Sequence, residues 1–436
     1  MPRFDATNSL LGEADDSTFV VALEDLPLVM ESENTILRAP VKRAEEDPLL
    51  GLALVELFDA DDAAARISER SERRGVVAQM RKERAEAHLP PPSAIDIILD
   101  DVRKNSAARF AGWTPLVGQN RLMRNVAGLP HVSGGGSGYP TPADPPPDRR
   151  PLDSAMGRPE VGTGLLTGPV VGLLDTAMVP HPDLAGRYLI DPTGIWRERP
   201  HWLPHQWVGH AVFNAGIIAK QAPTARLMLS AVLDDRAVAS CWTVAREMVR
   251  LARSGVDVLC SPLGCFTFDG QPPLLLVRAA SMLGDTVLVA AAGNHWTKID
   301  ELGTALPRKS PSYPAALDTA VAVAASGSDP DGYAPFSLRC LPWIDFAAPG
   351  EDVVSTFLSG EVDIVRKPDD VVERRDFGSG YAQWGGTSMA AAYVSGRIAA
   401  RMARRGDTAR QAVDQLHAHA DVTVLSVRGR GCATTR

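Results

Sequence analysis

No stretch of these 436 residues approaches the roughly 20 consecutive apolar positions that a helix needs to cross a bilayer. The opening segment, MPRFDATNSLLGEADDSTF, has neither the apolar run nor the small-residue cleavage site of a secretory signal. Cysteine is scarce. The five present (Cys241, Cys260, Cys265, Cys340 and Cys432) are odd in number and scattered, which argues against a disulfide framework. None are paired at the spacing of a structural zinc site. Free thiols in a reducing compartment are the simplest expectation, and without a signal the chain reads as a soluble cytoplasmic protein. Positive charge is not in excess either. The net charge of −8 gives no sign of the concentrated basic face of a nucleic-acid binder. Neither nucleic acid nor membrane is expected as a partner.

What the chain does have is apolar material, 45% of its residues, ample for a large buried core. Its length allows two or three domains, and its texture changes along the way. Within residues 1–130, segments 19–23 and 36–41 are short, mostly apolar pieces that suit strands. Segment 61–88 is alanine-rich with mixed charges, including Glu69 and Arg73 at helical i,i+4 spacing, and predicts a solvated helix. Ser93 precedes Ile95, Ile98, Leu99 and Val102, the pattern of a capped helix with one apolar face. These pieces imply a small α+β or mainly helical N-terminal region, with no nucleophile motif, phosphate loop or metal-ligand spacing of its own. Residues 131–165, containing SGGGSGYPTPADPPPDRRP and GRPEVGTG, hold too much glycine and proline to fold alone and read as a linker or exposed arm.

Between residues 166 and 425 strands and helices alternate. Segments 170–174, 226–232, 256–260, 286–291 and 320–324 read as strands; 210–220, 239–253, 273–283, 386–402 and 407–420 read as helices. Continuous apolar strands alternating with helices predict an α/β fold, a mostly parallel sheet flanked by helices on both faces. Ligand sites in such sheets lie beyond the carboxyl ends of the strands, and Asp175 and Asn294 fall there. Residues 426–436 are left as a tail.

Four segments carry chemistry: VVGLLDTAM (170–178) with Asp175, VGHAVFNAGII (208–218) with His210, VLVAAAGN (287–294) with Asn294, and GGTSMAAAYVSG (385–396) with Ser388. A serine hydroxyl needs a neighbouring base to become a nucleophile. A histidine takes that proton, and a buried carboxylate fixes its tautomer and stabilises the imidazolium. Each residue also has a plainer reading: Asp175 as a polar strand end, Asn294 as a turn cap after Gly293, Ser388 as a helix N-cap. His210 is one of nine histidines, and nearby His181, His201 and His205 suit surface or packing roles. Taken together, in the order Asp, His, Ser, the four segments resemble the motifs of the subtilase family of serine peptidases. The resemblance spans about residues 166–405. PSYPAALDTAVAVAA (311–325) and APFSLRCLPWIDFAAPGEDVVST (334–356) are similar to that family's strands ahead of the nucleophile.

The resemblance implies a subtilisin-like serine endopeptidase with Asp175, His210 and Ser388 as its triad. It implies Asn294 as an oxyanion donor beside the Ser388 N–H. A protein or peptide substrate would add to an exposed sheet edge at Leu263, Gly264 and Cys265, with Ala291, Ala292 and Gly293 along a side-chain pocket. No cofactor is implied. The calcium loop that many members carry after the histidine helix has no room between Ile218 and Ala222, and Asp183 alone is not a metal site; no metal is expected. Three departures stand out. The family's H-G-T-H-V-A-G is here His210-Ala211-Val212-Phe213-Asn214-Ala215-Gly216, Ala392 replaces the proline after the nucleophile motif, and Pro262 stands where serine is common. Two rivals stay open. An α/β-hydrolase needs its acid and histidine after the serine, an order that Asp407 or Asp414 with His417 or His419 would meet. The other is a subtilase scaffold without activity, serving as an interaction module. Residues 1–130 precede the catalytic region as subtilase propeptides do. They either restrain the cleft until cut off within residues 130–165, or wrap the catalytic sheet permanently; a regulatory protein partner is left open.

Overall fold

The computed structural model describes residues 14–30, 36–86, 91–125, 138–147, 168–197, 203–267, 270–295, 310–329, 331–367, 370–418 and 423–427. The N-terminal part comprises β1 (Ala14–Ala22), α1 (Leu26–Met30), β2 (Val41–Asp47), β3 (Leu52–Leu57), α2 (Ala60–Glu69), α3 (Ser71–Glu86), α4 (Ala94–Arg109) and β4 (Val117–Asn125), its strands antiparallel in the order β4-β1-β3-β2. Alternate side chains of a strand point to opposite faces, and here both faces are buried. Phe19, Val21, Ala53 and Val55 pack with Ile67, Ile95, Ile98 and Val102 of α2 and α4. Val20, Ala22, Leu52 and Leu54 face the other way and share a core with Trp242 and Leu275 of the second domain. Double burial explains the unbroken apolar run at residues 19–22.

Three expectations need correction. The strand expected at 36–41 begins only at Val41 and runs to Asp47 against β3. The single helix expected over 61–88 is two, because Arg70 adopts an extended backbone (ψ 139°) between α2 and α3. Arg73 is not solvated: it is 4% exposed and turns inward to Asp100 and Asp101 of α4. A buried guanidinium needs partners of opposite charge, and two adjacent carboxylates on α4 outcompete an exposed i,i+4 pair. The capped helix forms as expected, with Ser93 and Asp96 closing a capping box at the start of α4.

β5 (Thr141–Pro142) belongs to the Gly/Pro-rich arm. The second domain follows with β6 (Val170–Asp175), β7 (Tyr188–Ile190), α5 (His210–Gln221), β8 (Arg226–Ala231), β9 (Val238–Ser240), α6 (Cys241–Arg253), β10 (Val258–Ser261), β11 (Leu263–Phe266), α7 (Leu274–Ser281), β12 (Val287–Ala291) and β13 (Ser312–Tyr313). Then come β14 (Ala320–Ser326), β15 (Phe346–Pro349), β16 (Val353–Thr356), β17 (Glu361–Lys367), β18 (Asp370–Asp376), β19 (Tyr381–Trp384), α8 (Thr387–Arg405), α9 (Ala409–Ala418) and β20 (Leu425–Ser426). The central sheet runs β20-β15-β14-β12-β10-β6-β8-β7, parallel throughout except for β20 against β15. Helices α5 and α8 cover one face; α6 and α7 cover the other.

The arm is pinned at residues 138–147. β5 pairs with β19, and the Trp384 indole donates to the Gly138 carbonyl at 3.2 Å. Backbone pairing supplies what glycine- and proline-rich side chains lack, so the arm is not an open linker over these residues. Cysteine also departs from expectation. Cys241, Cys260 and Cys265 are free and buried, but Cys340 is disulfide-bonded, its partner lying outside the described residues. A disulfide depends on two cysteines meeting in space, which scattered spacing does not reveal. Three of the four described cysteines are therefore free, as expected, and one is not.

Candidate active site

Asp175 closes β6 and His210 opens α5, and both are buried. Asp175 Oδ1 accepts from His210 Nδ1 and from the Thr176 N–H, each at 2.7 Å; Oδ2 accepts from Asn214 Nδ2 at 2.9 Å. A carboxylate only accepts, so Nδ1 carries a proton, and in the neutral ring Nε2 keeps the lone pair. Helix α5 is fastened at both sides. Thr176 Oγ1 accepts from the Ala211 N–H at 3.2 Å, while the Ser355 and Thr356 hydroxyls of β16 donate to the Phe213 and Val212 carbonyls at 2.7 Å. Gly216 permits that approach, since a Cβ there would meet Thr356 Oγ1 at 2.2 Å. Trp384 meets the His210 ring edge to face at 5.7 Å.

Ser388 is the second residue of α8, fully buried, where the first N–H groups of a helix lack intrahelical acceptors. Thr387 ties this helix start to the end of β12. Its N–H and Oγ1 donate to Asn294 Oδ1 at 3.0 and 2.9 Å, and its Oγ1 accepts from the Gly293 N–H at 3.1 Å. With Oδ1 held twice, Asn294 is oriented to present Nδ2 as a donor. The Ser388 hydroxyl donates to the Pro262 carbonyl at 2.8 Å, not to His210. The structure thus joins Asp175 to His210 and links Asn294 to Ser388 through Thr387, with the Ser388 oxygen held at Pro262, beside the edge formed by β11.

That edge is not exposed, contrary to the sequence reading. β11 is paired on both sides: with β13 through Cys265↔Tyr313, and with β4 through Leu263↔Asn125 and Gly264↔Arg124. β4 is also paired with β9, Leu122↔Ser240 through Arg124↔Val238. An open strand edge is a template for any strand nearby, and the N-terminal domain supplies one. Ala291 and Ala292 are packed into apolar clusters, so their side chains do not line a pocket; only their backbone and that of Gly293 offer a wall. Asp183 accepts from the Tyr381 hydroxyl. His181 and His205 are buried packing groups; His201 lies outside the described residues. Two of the rival residues are engaged elsewhere. Asp407 bonds Arg401 at 3.0 Å, and His417 stacks on Phe346 at 4.2 Å; His419 lies outside the described residues.

Two residues escaped sequence reasoning. Asn214, 0% exposed, reaches the Asp175 carboxylate; its signal was a polar side chain at the valine position of H-G-T-H-V-A-G. His295, 4% exposed, follows Asn294 and lies against Phe266 at 4.5 Å, and burial pushes its imidazole down to about 4.

A parallel sheet with a carboxylate–histidine pair at one strand end and a serine at the start of a buried helix is the subtilisin-like arrangement. Residues 167–426 match the profile of the subtilase family, Peptidase S8, and the chain belongs to that family. A thermophilic serine proteinase of Bacillus sp. (strain AK1) is 29% identical over 265 residues, 57% of this chain and 56% of the relative. The crystal structure of fervidolysin from Fervidobacterium pennivorans, a keratinolytic enzyme related to subtilisin, has a similar fold. Its TM-score is 0.55 at 18% identity, covering 94% of this chain and 59% of fervidolysin. The chain spans little more than half the length of either relative.

Proposed function

We propose that this chain is a serine endopeptidase acting through Asp175, His210 and Ser388. The observation that carries the reading is the buried 2.7 Å bond between Asp175 and His210 Nδ1, which leaves Nε2 as the base. Ser388 Oγ turns from Pro262 toward His210, loses its proton to Nε2 and attacks the peptide carbonyl. The oxyanion is met by the Asn294 amide and the Ser388 N–H. His210 returns the proton to the leaving amine, and water then releases the acyl group. No step calls on a cofactor or metal. Fluorophosphonate labelling tests the assignment: the parent is labelled and Ser388→Ala is not. Equal labelling of both, or of neither, refutes it.

The N-terminal domain is a built-in restraint on this site. β4 already lies as an extended strand between β9 and β11, where a substrate would add. Met123, fully buried among Ala239, Leu263 and Cys265, marks an apolar position that a substrate strand would also fill. β4 ends opposite Leu263, one residue from Pro262, whose carbonyl holds Ser388. Self-cleavage therefore falls within a few residues after Asn125, earlier than the arm. Intact mass of the parent beside Ser388→Ala decides: a cut there in the parent alone supports processing, and full-length protein in both leaves a permanent restraint.

A further inference from the structure

We infer that Asn214 is a positioning residue for the catalytic pair, an inference that rests on the triad reading. Asn214 lies one turn after His210 on α5, so its amide returns to the start of the helix. Nδ2 donates to Asp175 Oδ2 at 2.9 Å, the carboxylate oxygen that His210 does not use. The same nitrogen is 3.3 Å from His210 Nδ1 and 3.4 Å from Nε2. An in-plane approach equidistant from both nitrogens would run into Cε1, so the amide lies over the ring face. One side chain therefore fixes the carboxylate and covers the imidazole, while Trp384 meets the ring from another direction.

A packing role does not account for it. Asn214 Oδ1 is buried and has no hydrogen-bond partner among the described residues. A leucine would fill the same shape without stranding an acceptor. The orientation is also forced, because turning the amide over would set Oδ1 against a carboxylate oxygen. The polar group destabilises its own pocket and is compensated only at Asp175. Its consequence for the reaction is geometric: the donor holds the Asp175 carboxylate in line with His210 Nδ1, the arrangement that stabilises imidazolium as Ser388 attacks.

The test is Asn214→Leu in the full chain, with Asn214→Val as a second replacement. Both should melt no lower than the parent. kcat for peptide hydrolysis, and the rate constant for fluorophosphonate labelling, should fall by roughly ten- to a hundredfold, the range for a lost hydrogen bond to a charged group. KM should change little, because the amide does not face the cleft. In an Asp175→Asn background the same replacement should change the labelling rate by less than about twofold, since the carboxylate it serves is gone. Parent-like rates in a folded variant overturn the proposal. So does an equal fractional loss in both backgrounds, or lower stability in both replacements, because each outcome makes Asn214 a packing residue. The triad itself is read separately: an unlabelled parent refutes that reading, and this one with it.

Discussion

The central sheet and the inner strands β1 and β3 of the N-terminal sheet are both buried on two faces, yet the two sheets are specified in different ways. β6, β10, β12 and β14 lie between helix layers, so nearly every position is apolar and a run such as TVLVAA identifies itself. β2 and β4 carry VKRAEED and VGQNRLMRN, strings without the alternation of a strand. β4 exists because its neighbours complete it: β1 along its first half, β9 and β11 along its second. The comparison teaches that the edges of β9 and β11 are completed by a strand of the N-terminal part. Asn120 of β4, 2% exposed, donates to Thr18 Oγ1 at 3.0 Å and accepts from the Trp242 N–H at the start of α6 at 3.1 Å. By contrast, Arg246 pairs with Glu45 and Asp47 of β2 near the surface, where ion pairs contribute little.

If the catalytic domain carries the chemistry alone, the largest effects belong to it. Asn294→Ala should lower kcat by roughly a hundred- to a thousandfold with little change in KM. The amide meets the oxyanion chiefly in the transition state, and β4 pairing involves none of its atoms. A main effect on KM would show that Asn294 binds substrate in the ground state, and would move it from the catalytic side of the comparison to the docking side.

Asn120→Ala addresses the docking side. It strands the Trp242 N–H and removes a bond to β1, at a cost of about 1–3 kcal/mol. That raises the undocked population by about five- to a hundred-and-sixtyfold. For an uncut chain, kcat/KM on a short peptide should rise within that range while kcat at saturation stays put. An unchanged kcat/KM in the folded variant would mean that β4 does not limit access to the cleft.

Legibility in the sequence follows the same division. Asp175, His210, Asn294 and Ser388 could be singled out because each sits near the end of an apolar strand or at the start of a small-residue helix. Local pattern and chemistry coincide there. The docked strand was invisible, because β-structure depends on cross-strand partners that a single segment does not show. Asn214 was overlooked for another reason. Helix α5 was read for the bulk of its side chains, and one polar atom's reach to Asp175 depends on the angle between α5 and β6. Pro262 was read as a lost donor, whereas its carbonyl is what the structure uses.

The smallest effect at neutral pH comes from His295, which lies beside Asn294 and against Phe266 of β11, the strand with which β4 pairs. Its Nε2–H donates to the Ser310 carbonyl at 3.0 Å, and Nδ1 is buried without a partner among the described residues. Protonating Nδ1 would bury an uncompensated charge, so burial holds the imidazole down at about 4 against 6.5 in the unfolded chain. Between those values the unfolded chain binds more protons than the folded one, and stability rises with pH. The contribution is complete above pH 6.5 and is lost as pH falls toward 4, amounting to roughly 3 kcal/mol at about 1.36 kcal/mol per pH unit. His295→Gln keeps a donor for Ser310 but does not titrate. In a Ser388→Ala background, which prevents self-digestion, urea unfolding from pH 7 to pH 4 should show the histidine protein losing roughly that much more stability than the glutamine variant. Parallel curves would mean that the ring gains a partner or solvent when protonated, so that the cleft wall opens in acid instead of resisting the charge.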